Sequence, residues 1–456
     1  MNVLLNITNS LKFTLNPNLE MSIFVQIAAY RDPLLVSTLK DMLEKAMNPE
    51  NLHVTICHQY NPEDTYNVEL NEFKLNPQFN IIEIPYKESK GLCWARNLIQ
   101  RQYKDETYML QIDSHMRFVW AWDSILINML ESLKDKGVQK PILTAYPPHF
   151  EPLDFRYEET APNQIIFREF DKHGIYPIGW PSEIPNWKNL TGPIPARFLA
   201  GGFCFSIGSF CQEILDDPHL YFSGEEINLA IRAYTHGYDL YHPHINITWH
   251  YYTRKETPKH WDDHYNTGIL ENQAMRRLKR LFEQSTKKTL YDWGIYGLGN
   301  IRNLRDYERY SGILLNENKV QEYTLMNLPP VNPKIFNSEE EWENSFYSYV
   351  NNFIYIPINI FEENKLTEYD VAELRFMCNN KEVYQQSLNK EEILQLKNST
   401  DSHCKLEVNF KCEDLPDGWV LELHNKHGGN NKRVRGRMPY FQAGLNGFAI
   451  KNCINL

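Results

Sequence analysis

The chain alternates between short apolar runs and longer polar stretches with helical spacing. Ser22–Ala29 (SIFVQIAA) is an apolar run closed by Tyr30-Arg31-Asp32-Pro33, which predicts a buried strand ended by a turn. Pro33 suits the first turn of a helix, and Leu34 to Met47 has helical periodicity. His53–His58 (HVTICH) and Ile81–Ile84 (IIEI) predict two more strands. A helix is expected from near Gly91, and Tyr108–Ile112 (YMLQI) predicts a fourth strand. Strands alternating with helices predict an α/β fold on a parallel sheet, with ligands gathering at the carboxyl ends of the strands. The fourth strand runs directly into Asp113-Ser114-His115.

Residues 145–195 are rich in Pro, Trp and Tyr and show little periodicity, so a long irregular lid or binding loop is expected there. A strand over Phe198–Ile207, a helix from Gly224 to His236 and a strand through Leu240–His250 follow. Residues 267–284 predict a basic amphipathic helix, whose simplest reading is a solvated face packed on a core. The prolines of LPPVNPKIF, after residue 328, interrupt either kind of element. Beyond them, alternating runs such as CKLEVNFKC and GWVLELHN predict a small β-rich domain. The expected division is an N-terminal extension over 1–20, a main α/β domain over 21–327 and a β-rich accessory domain over 328–456.

Composition narrows the function classes. At 42% hydrophobic and 13% aromatic, the 456-residue chain can bury a large core. A formal net charge of -11 disfavours nucleic acid as a partner, because phosphate binding needs concentrated Lys and Arg. The eight cysteines form no CxxC pair, which argues against a zinc ribbon and favours buried reduced thiols. The first residues lack a basic segment followed by an apolar one, and no apolar run reaches the ~20 residues that span a bilayer. A cytoplasmic protein without a transmembrane anchor is expected.

Asp113 and His115 offer a hard oxygen and an imidazole at a strand end, a mixture that suits Mn²⁺ better than Ca²⁺. Trp249-His250-Tyr251-Tyr252 supplies a third ligand in His250, although His58, His242, His244, His260 and His264 compete on spacing alone. Lys90-Gly91-Leu92-Cys93-Trp94-Ala95-Arg96-Asn97 opens a helix whose N-terminus favours phosphate, with Arg96 able to fork onto an anion. The competing reading makes Gly91 a cap and Arg96 a surface ion pair. Arg31 and Asp32 follow the first strand, where a uracil or ribose is commonly gripped; solvated loop charges are the alternative. Gly201-Gly202 lets backbone lie against a flat sugar ring, or simply makes a turn. Glu225 and Glu226 open a helix, either to favour its dipole or to contact sugar or acceptor.

Taken together, the segments IFVQIAAYRDPLL, KGLCWARN, LQIDSHMRF, FLAGGFCFS, FSGEEINLAIRAYTHGYDLYHP, WHYY and YGLGNIRNLRDYERYSGI resemble glycosyltransferase family 60 over residues 20 to 315. Characterised members of that family are polypeptide α-N-acetylglucosaminyltransferases that modify hydroxyproline on a ubiquitin-ligase subunit. The resemblance implies a GT-A fold, a Rossmann-like nucleotide half continuous with an acceptor half. The DxH motif is also similar to that of mucin-type N-acetylgalactosaminyltransferases, in which a later histidine completes the metal site. It implies a metal held by Asp113, His115 and His250 and nucleotide contacts from Arg31 and Asp32, and it puts Arg96 at a motif arginine position; Arg31, Asp32, Arg96, Asp113, Gly201 and Gly202 are the expected donor contacts. Glu225 and Glu226 fall at the acidic active-site pair, with binding or positioning roles.

The implied activity is a retaining, Mn²⁺-dependent transfer of N-acetylglucosamine or a related sugar from a UDP-sugar to a hydroxyl of a protein or peptide. Two alternatives share the same residues. One is a glycan-assembling transferase with a saccharide acceptor. The other is an inactive module that binds sugar or protein.

Overall fold

The computed structural model describes residues 21–171, 174–254, 257–283, 291–360, 369–397, 403–425, 431–438 and 453–454; the N-terminal extension over 1–20 lies outside them. The chain divides into two compact units. The first comprises residues 1–166, 179–311 and 329–331, and the second comprises 167–178, 312–328 and 332–456.

The first unit is built on strands β1 (Ile23–Tyr30), β2 (Leu52–Tyr60), β3 (Phe79–Pro85) and β4 (Tyr108–Asp113). β1 pairs in parallel with both β2 and β4, and β2 with β3. The helices between them, α1 (Leu35–Lys45) and α2 (Leu92–Gln100), make the parallel crossovers possible. Leu35, Leu39 and Met42 of α1 are buried against the same core as Val25, Ile27, Val54 and Leu110. Covered on both sides, β1 and β4 therefore carry apolar residues at nearly every position rather than at alternate ones. The Asp32 carboxylate accepts a hydrogen bond from the Leu34 N–H at 2.9 Å in the turn that precedes α1.

After β4 come β5 (Met116–Phe118), helix α3 (Trp122–Asp135), β6 (Pro141–Thr144), a hairpin of β7 (Asn163–Phe170) and β8 (Pro177–Glu183), β9 (Ile194–Pro195) and β10 (Phe203–Ile207). Helix α4 (Glu225–Thr235) then leads to β11 (Asp239–His242) and β12 (Thr248–His250). The main sheet has the order β3-β2-β1-β4-β10-β6-β11-β9. β10 runs antiparallel to β4 and β6, and β9 antiparallel to β11. The sheet is thus mostly parallel rather than wholly so, because no helical crossover separates β6 from β10. This is the GT-A arrangement that the resemblance implies.

Three local expectations are corrected. The expected lid over 145–195 contains β7 and β8, and between them, in residues assigned to the second unit, the Asp171 carboxylate accepts hydrogen bonds from the N–H groups of Ile175 and Tyr176. The strand expected from Phe198 begins only at Phe203, since Gly201 and Gly202 turn the chain. The single strand expected over Leu240–His250 is two, β11 and β12, in different sheets. Pro243 follows β11 directly and has no N–H to continue a ladder. The unit ends with α5 (Thr267–Phe282) and α6 (Leu304–Ser311).

The second unit is β-rich. β13 (Ile313–Leu314), β14 (Lys319–Gln321), β15 (Phe346–Pro357) and β18 (His403–Cys412) form one sheet. The other has the order β17 (Lys381–Asn389), β16 (Tyr369–Cys378), β19 (Gly418–Asn425), β20 (Lys432–Arg437), β21 (Cys453–Ile454). Both sheets contribute to one core that includes Ile354, Val408, Leu374, Phe376 and Leu421, with Ile393 of α7 (Lys390–Lys397) packed in. Among the described residues no helix is long and apolar enough to cross a membrane.

Candidate active site

The carboxyl end of β4 carries the Asp113-Ser114-His115 loop, and α1 fixes it from below. The buried Thr38 hydroxyl donates to the Ser114 carbonyl at 2.9 Å and accepts from the Met116 N–H at 2.9 Å. One turn on, Asp41 accepts from the Phe118 N–H at 2.7 Å. β5 and β12 pair antiparallel with His250 opposite Met116, and the Tyr251 N–H donates to the His115 carbonyl at 3.1 Å. That two-stranded ladder brings the distant His250 to the loop. Asp113, His115 and His250 each present a ligand atom, and these atoms all lie within 4.8 Å of one another.

His115 is buried, with Nδ1 2.7 Å from Asp32 Oδ2. Burial lowers the His115 pKa, so the ring is neutral. Although burial opposes ionisation of Asp32, the hydrogen bonds from His115 and Ser114 and the charge of Arg254 hold its pKa down to about 2. An ionised Asp32 can only accept, so Nδ1 carries the His115 proton and Nε2 keeps a free lone pair. A carboxylate behind a histidine is the common support of a metal-ligating imidazole. Ser114 Oγ also donates to Asp32 at 2.6 Å, and the Arg254 guanidinium lies 3.4 Å away.

His250 Nε2 is 3.0 Å from Asp113 Oδ2, and its buried Nδ1 has no partner among the described residues. The rings of His115 and His250 meet edge to face at 4.6 Å. Burial acts against ionisation of Asp113, yet His250 and Arg96 outweigh it and hold the carboxyl well below the usual carboxylate range. One hard oxygen, two imidazoles and a supporting carboxylate fit a divalent metal of the Mn²⁺ or Zn²⁺ type.

Beneath the cluster lies Arg96 of α2, only 2% exposed. Its guanidinium donates to Glu225 Oε1 at 3.0 Å, to the Gly201 carbonyl at 2.8 Å and to Asp113 Oδ1 at 3.3 Å. It is therefore a buried hub and not a surface ion pair. α2 can begin here because Gly91 adopts φ +111°, a left-handed value, with Tyr221 packed where a Cβ would stand. Gly201 and Gly202 are small for a steric reason. A Cβ on Gly201 would sit 2.3 Å from Glu225 Oε1, and one on Gly202 would sit 2.7 Å from Asp113 Oδ2.

Glu226 accepts from the Gly201 N–H at 2.8 Å and from the Tyr146 hydroxyl. Burial and then the Glu225 charge push its pKa up to about 8, and burial raises that of Glu225. Arg31, at φ +46°, forks onto Asp64 at 3.0 Å and meets Asp263 at 3.0 Å. The structure thus brings Asp32, Arg96, Asp113, His115, Gly201, Gly202, Glu225 and His250 into one connected network. Glu226 joins it through Gly201, while Arg31 stands beside it, engaged by carboxylates. Of the rival histidines, His242 is tied up by the Thr144 carbonyl at 2.7 Å and the Ile165 N–H at 3.1 Å. Thr38, Asp41, Tyr146 and Arg254 took part unannounced by any sequence motif.

A mostly parallel sheet with this strand order, bearing an Asp-x-His cluster at the end of its fourth strand, defines a glycosyltransferase of the GT-A type. The sequence profile of the Glycosyltransferase (GlcNAc) family matches residues 22–78 and 66–316, and the chain belongs to that family. No curated protein matches it in sequence. Among solved structures, the chain is similar to GalNAc-T7 with UDP, GalNAc and Mn²⁺, at a TM-score of 0.46 and 14% identity over 92% of this chain and 68% of that one. It is also similar to S. aureus TarS 1-349 in complex with UDP-GlcNAc, at a TM-score of 0.37 and 12% identity over 59% of this chain and 68% of that one.

Proposed function

We propose that this glycosyltransferase is a metal-dependent, retaining enzyme that moves N-acetylglucosamine from UDP-N-acetylglucosamine to a hydroxyl of a protein or peptide. The observation that carries the reading is the convergence of Asp113, His115 and His250 within 4.8 Å at the end of β4. The family's own description, with the segments that resemble glycosyltransferase family 60, supports N-acetylglucosamine as the sugar.

When bound there, a divalent cation supplies positive charge to the oxygens of the leaving diphosphate. Asp113, His115 and His250 hold it, and Asp32 keeps His115 in the tautomer that leaves Nε2 free. Arg96 favours ionised Asp113 and pins the Gly201 carbonyl. The Gly201-Gly202 backbone, fastened by Glu226 and Arg96, offers a flat wall for the donor sugar. Glu225 and Glu226 act by positioning, since their hydrogen bonds go to Arg96, Gly201 and Tyr146. Attack by the acceptor hydroxyl on the face from which the diphosphate departs needs no dedicated protein base and retains configuration. Arg31 and Asp32 order the loop assigned to the nucleoside. The seven cysteines whose side chains are described are unpaired, in keeping with the proposed reducing, cytoplasmic setting.

The test is release of the nucleoside diphosphate, UDP or GDP, from a panel of UDP- and GDP-sugars with Mn²⁺, with the anomer of the freed or transferred sugar read by proton NMR. Preference for UDP-N-acetylglucosamine with an α product is expected. A β product, or preference for a GDP-sugar, would overturn the reading.

A further inference from the structure

Within the first unit the structure contains an open groove of about 1010 Å³. One wall is the segment after β3, carrying Lys87 and Lys90, and the other is α5, carrying Arg276 and Arg280. These four side chains are exposed, and none has a carboxylate within ion-pair distance among the described residues. The groove's other arginine, Arg277, is already held by Asp217. Of the two lining carboxylates, Asp263 is bound to Arg31, which leaves Glu88 as the one unengaged anion among the lining residues described. A chain with a net charge of -11 has thus gathered cations that have no ion pair among the described residues around one cavity.

The groove's walls are linked to the site through side-chain contacts. Asp263 on its wall contacts Arg31, whose neighbour Asp32 supports His115. Ser89 on the opposite wall donates to Gln59 near the end of β2 at 2.5 Å. Tyr221, at its floor, packs against Gly91 at the start of the helix that carries Arg96.

We infer that this groove is the acceptor channel and that it selects an extended peptide with carboxylates at alternate positions. The inference rests on the transferase reading above. Arg276 and Arg280 are four residues apart on a helix, about 6 Å along its axis. Alternate side chains of an extended peptide lie about 6.6–6.8 Å apart and point the same way, so two acidic residues match two arginines. Lys87 and Lys90 meet the same backbone from the other side. Tyr221 and Tyr265 line the groove as well and give the intervening residues apolar surface. A long polyanion is disfavoured, because outside the groove it would run along an acidic protein surface.

The experiment follows fluorescence anisotropy of three labelled peptides on the full chain: a Glu-Ser repeat, its Gln-Ser counterpart and a Lys-Ser counterpart. UDP with Mn²⁺ is titrated in parallel, and inorganic polyphosphate serves as competitor. The Glu-Ser peptide should bind about tenfold more tightly than the Gln-Ser one, with an advantage that shrinks as salt screens it. Arg276→Gln with Arg280→Gln should bring the two within about twofold, while UDP titration of the same variant reports that the fold is intact. Equal binding of the Glu-Ser and Gln-Ser peptides overturns the inference. So does an unchanged Glu-Ser affinity in the double variant, or polyphosphate displacing the peptide as the better ligand. If peptide selectivity fails while UDP binds, the groove assignment alone falls. If UDP does not bind, the transferase reading falls with it.

Discussion

Arg96 is the residue whose replacement reports most sharply on how the site is held. Its guanidinium is 2% exposed and faces Glu225, Asp113 and the Gly201 carbonyl. Methionine in its place keeps much of the volume but leaves the Glu225 carboxylate buried without a cation. Removing one partner of a buried pair costs about 3–5 kcal/mol. Asp113 suffers less, because its side chain is 28% exposed and His250 still donates to it. Protonation of Glu225 offers some relief, since burial already raises its pKa. The added change Glu225→Gln removes the stranded buried charge and leaves unmade the hydrogen bonds of Glu225, at about 1 kcal/mol each, and the partly exposed Asp113 contact. The double variant Arg96→Met, Glu225→Gln should therefore be at least about 2 kcal/mol more stable than Arg96→Met alone. The assay is urea unfolding of the wild type, both single variants and the pair, followed by intrinsic fluorescence. Arg96→Met within about 1 kcal/mol of the wild type, or no stability regained on adding Glu225→Gln, would refute the reasoning.

Other outcomes follow from the same geometry. Asp32→Asn should weaken Mn²⁺ binding by about 10–100-fold in calorimetric titration, because His115 loses the carboxylate that orients it; a change within about twofold would contradict this. Gly202→Ala places a Cβ 2.7 Å from Asp113 Oδ2 and should weaken Mn²⁺ binding while thermal unfolding shows the fold retained. Asp216 is buried with both oxygens unpartnered, and burial raises its pKa from 3.8 to about 7. Between those values the folded state holds the extra proton, so the group's contribution falls as pH rises from about 4 to about 7 and is level above. Asp216→Asn should accordingly stabilise the chain by about 2–3 kcal/mol more at pH 8 than at pH 5 in urea unfolding, and an equal gain at both would contradict the assignment.

Much of the first unit was legible because β1, β2 and β4 are buried on both faces and stand as apolar runs between helices. The Asp113-His115 pair was legible because it ends one of those runs. His250 was not distinguishable from its rivals by spacing, since the pairing of β12 with β5 selects it. The role of Asp32 in holding His115 depends on a contact 83 residues apart, which no local pattern encodes. Arg31 stood where a nucleoside is gripped, yet Asp64 and Asp263 come from 33 and 232 residues away to engage it. Gly201 and Gly202 read as backbone for a sugar ring. Their immediate constraint is the space taken by Glu225, Arg96 and Asp113. In the second unit, strand alternation was visible in CKLEVNFKC and GWVLELHN. β13 and β14 precede the proline-rich stretch and are too short, at two and three residues, to leave a pattern.

The central claim is that Asp113, His115 and His250 hold a metal that sugar transfer requires. The most direct measurement is hydrolysis of UDP-N-acetylglucosamine by the wild type and by Asp113→Asn across a Mn²⁺ titration, with Mn²⁺ binding followed in the same samples. The expected result is UDP release that saturates with Mn²⁺ in the wild type, with both binding and release lost in Asp113→Asn. Release that proceeds without a divalent cation, or that is unchanged in Asp113→Asn, would contradict the account.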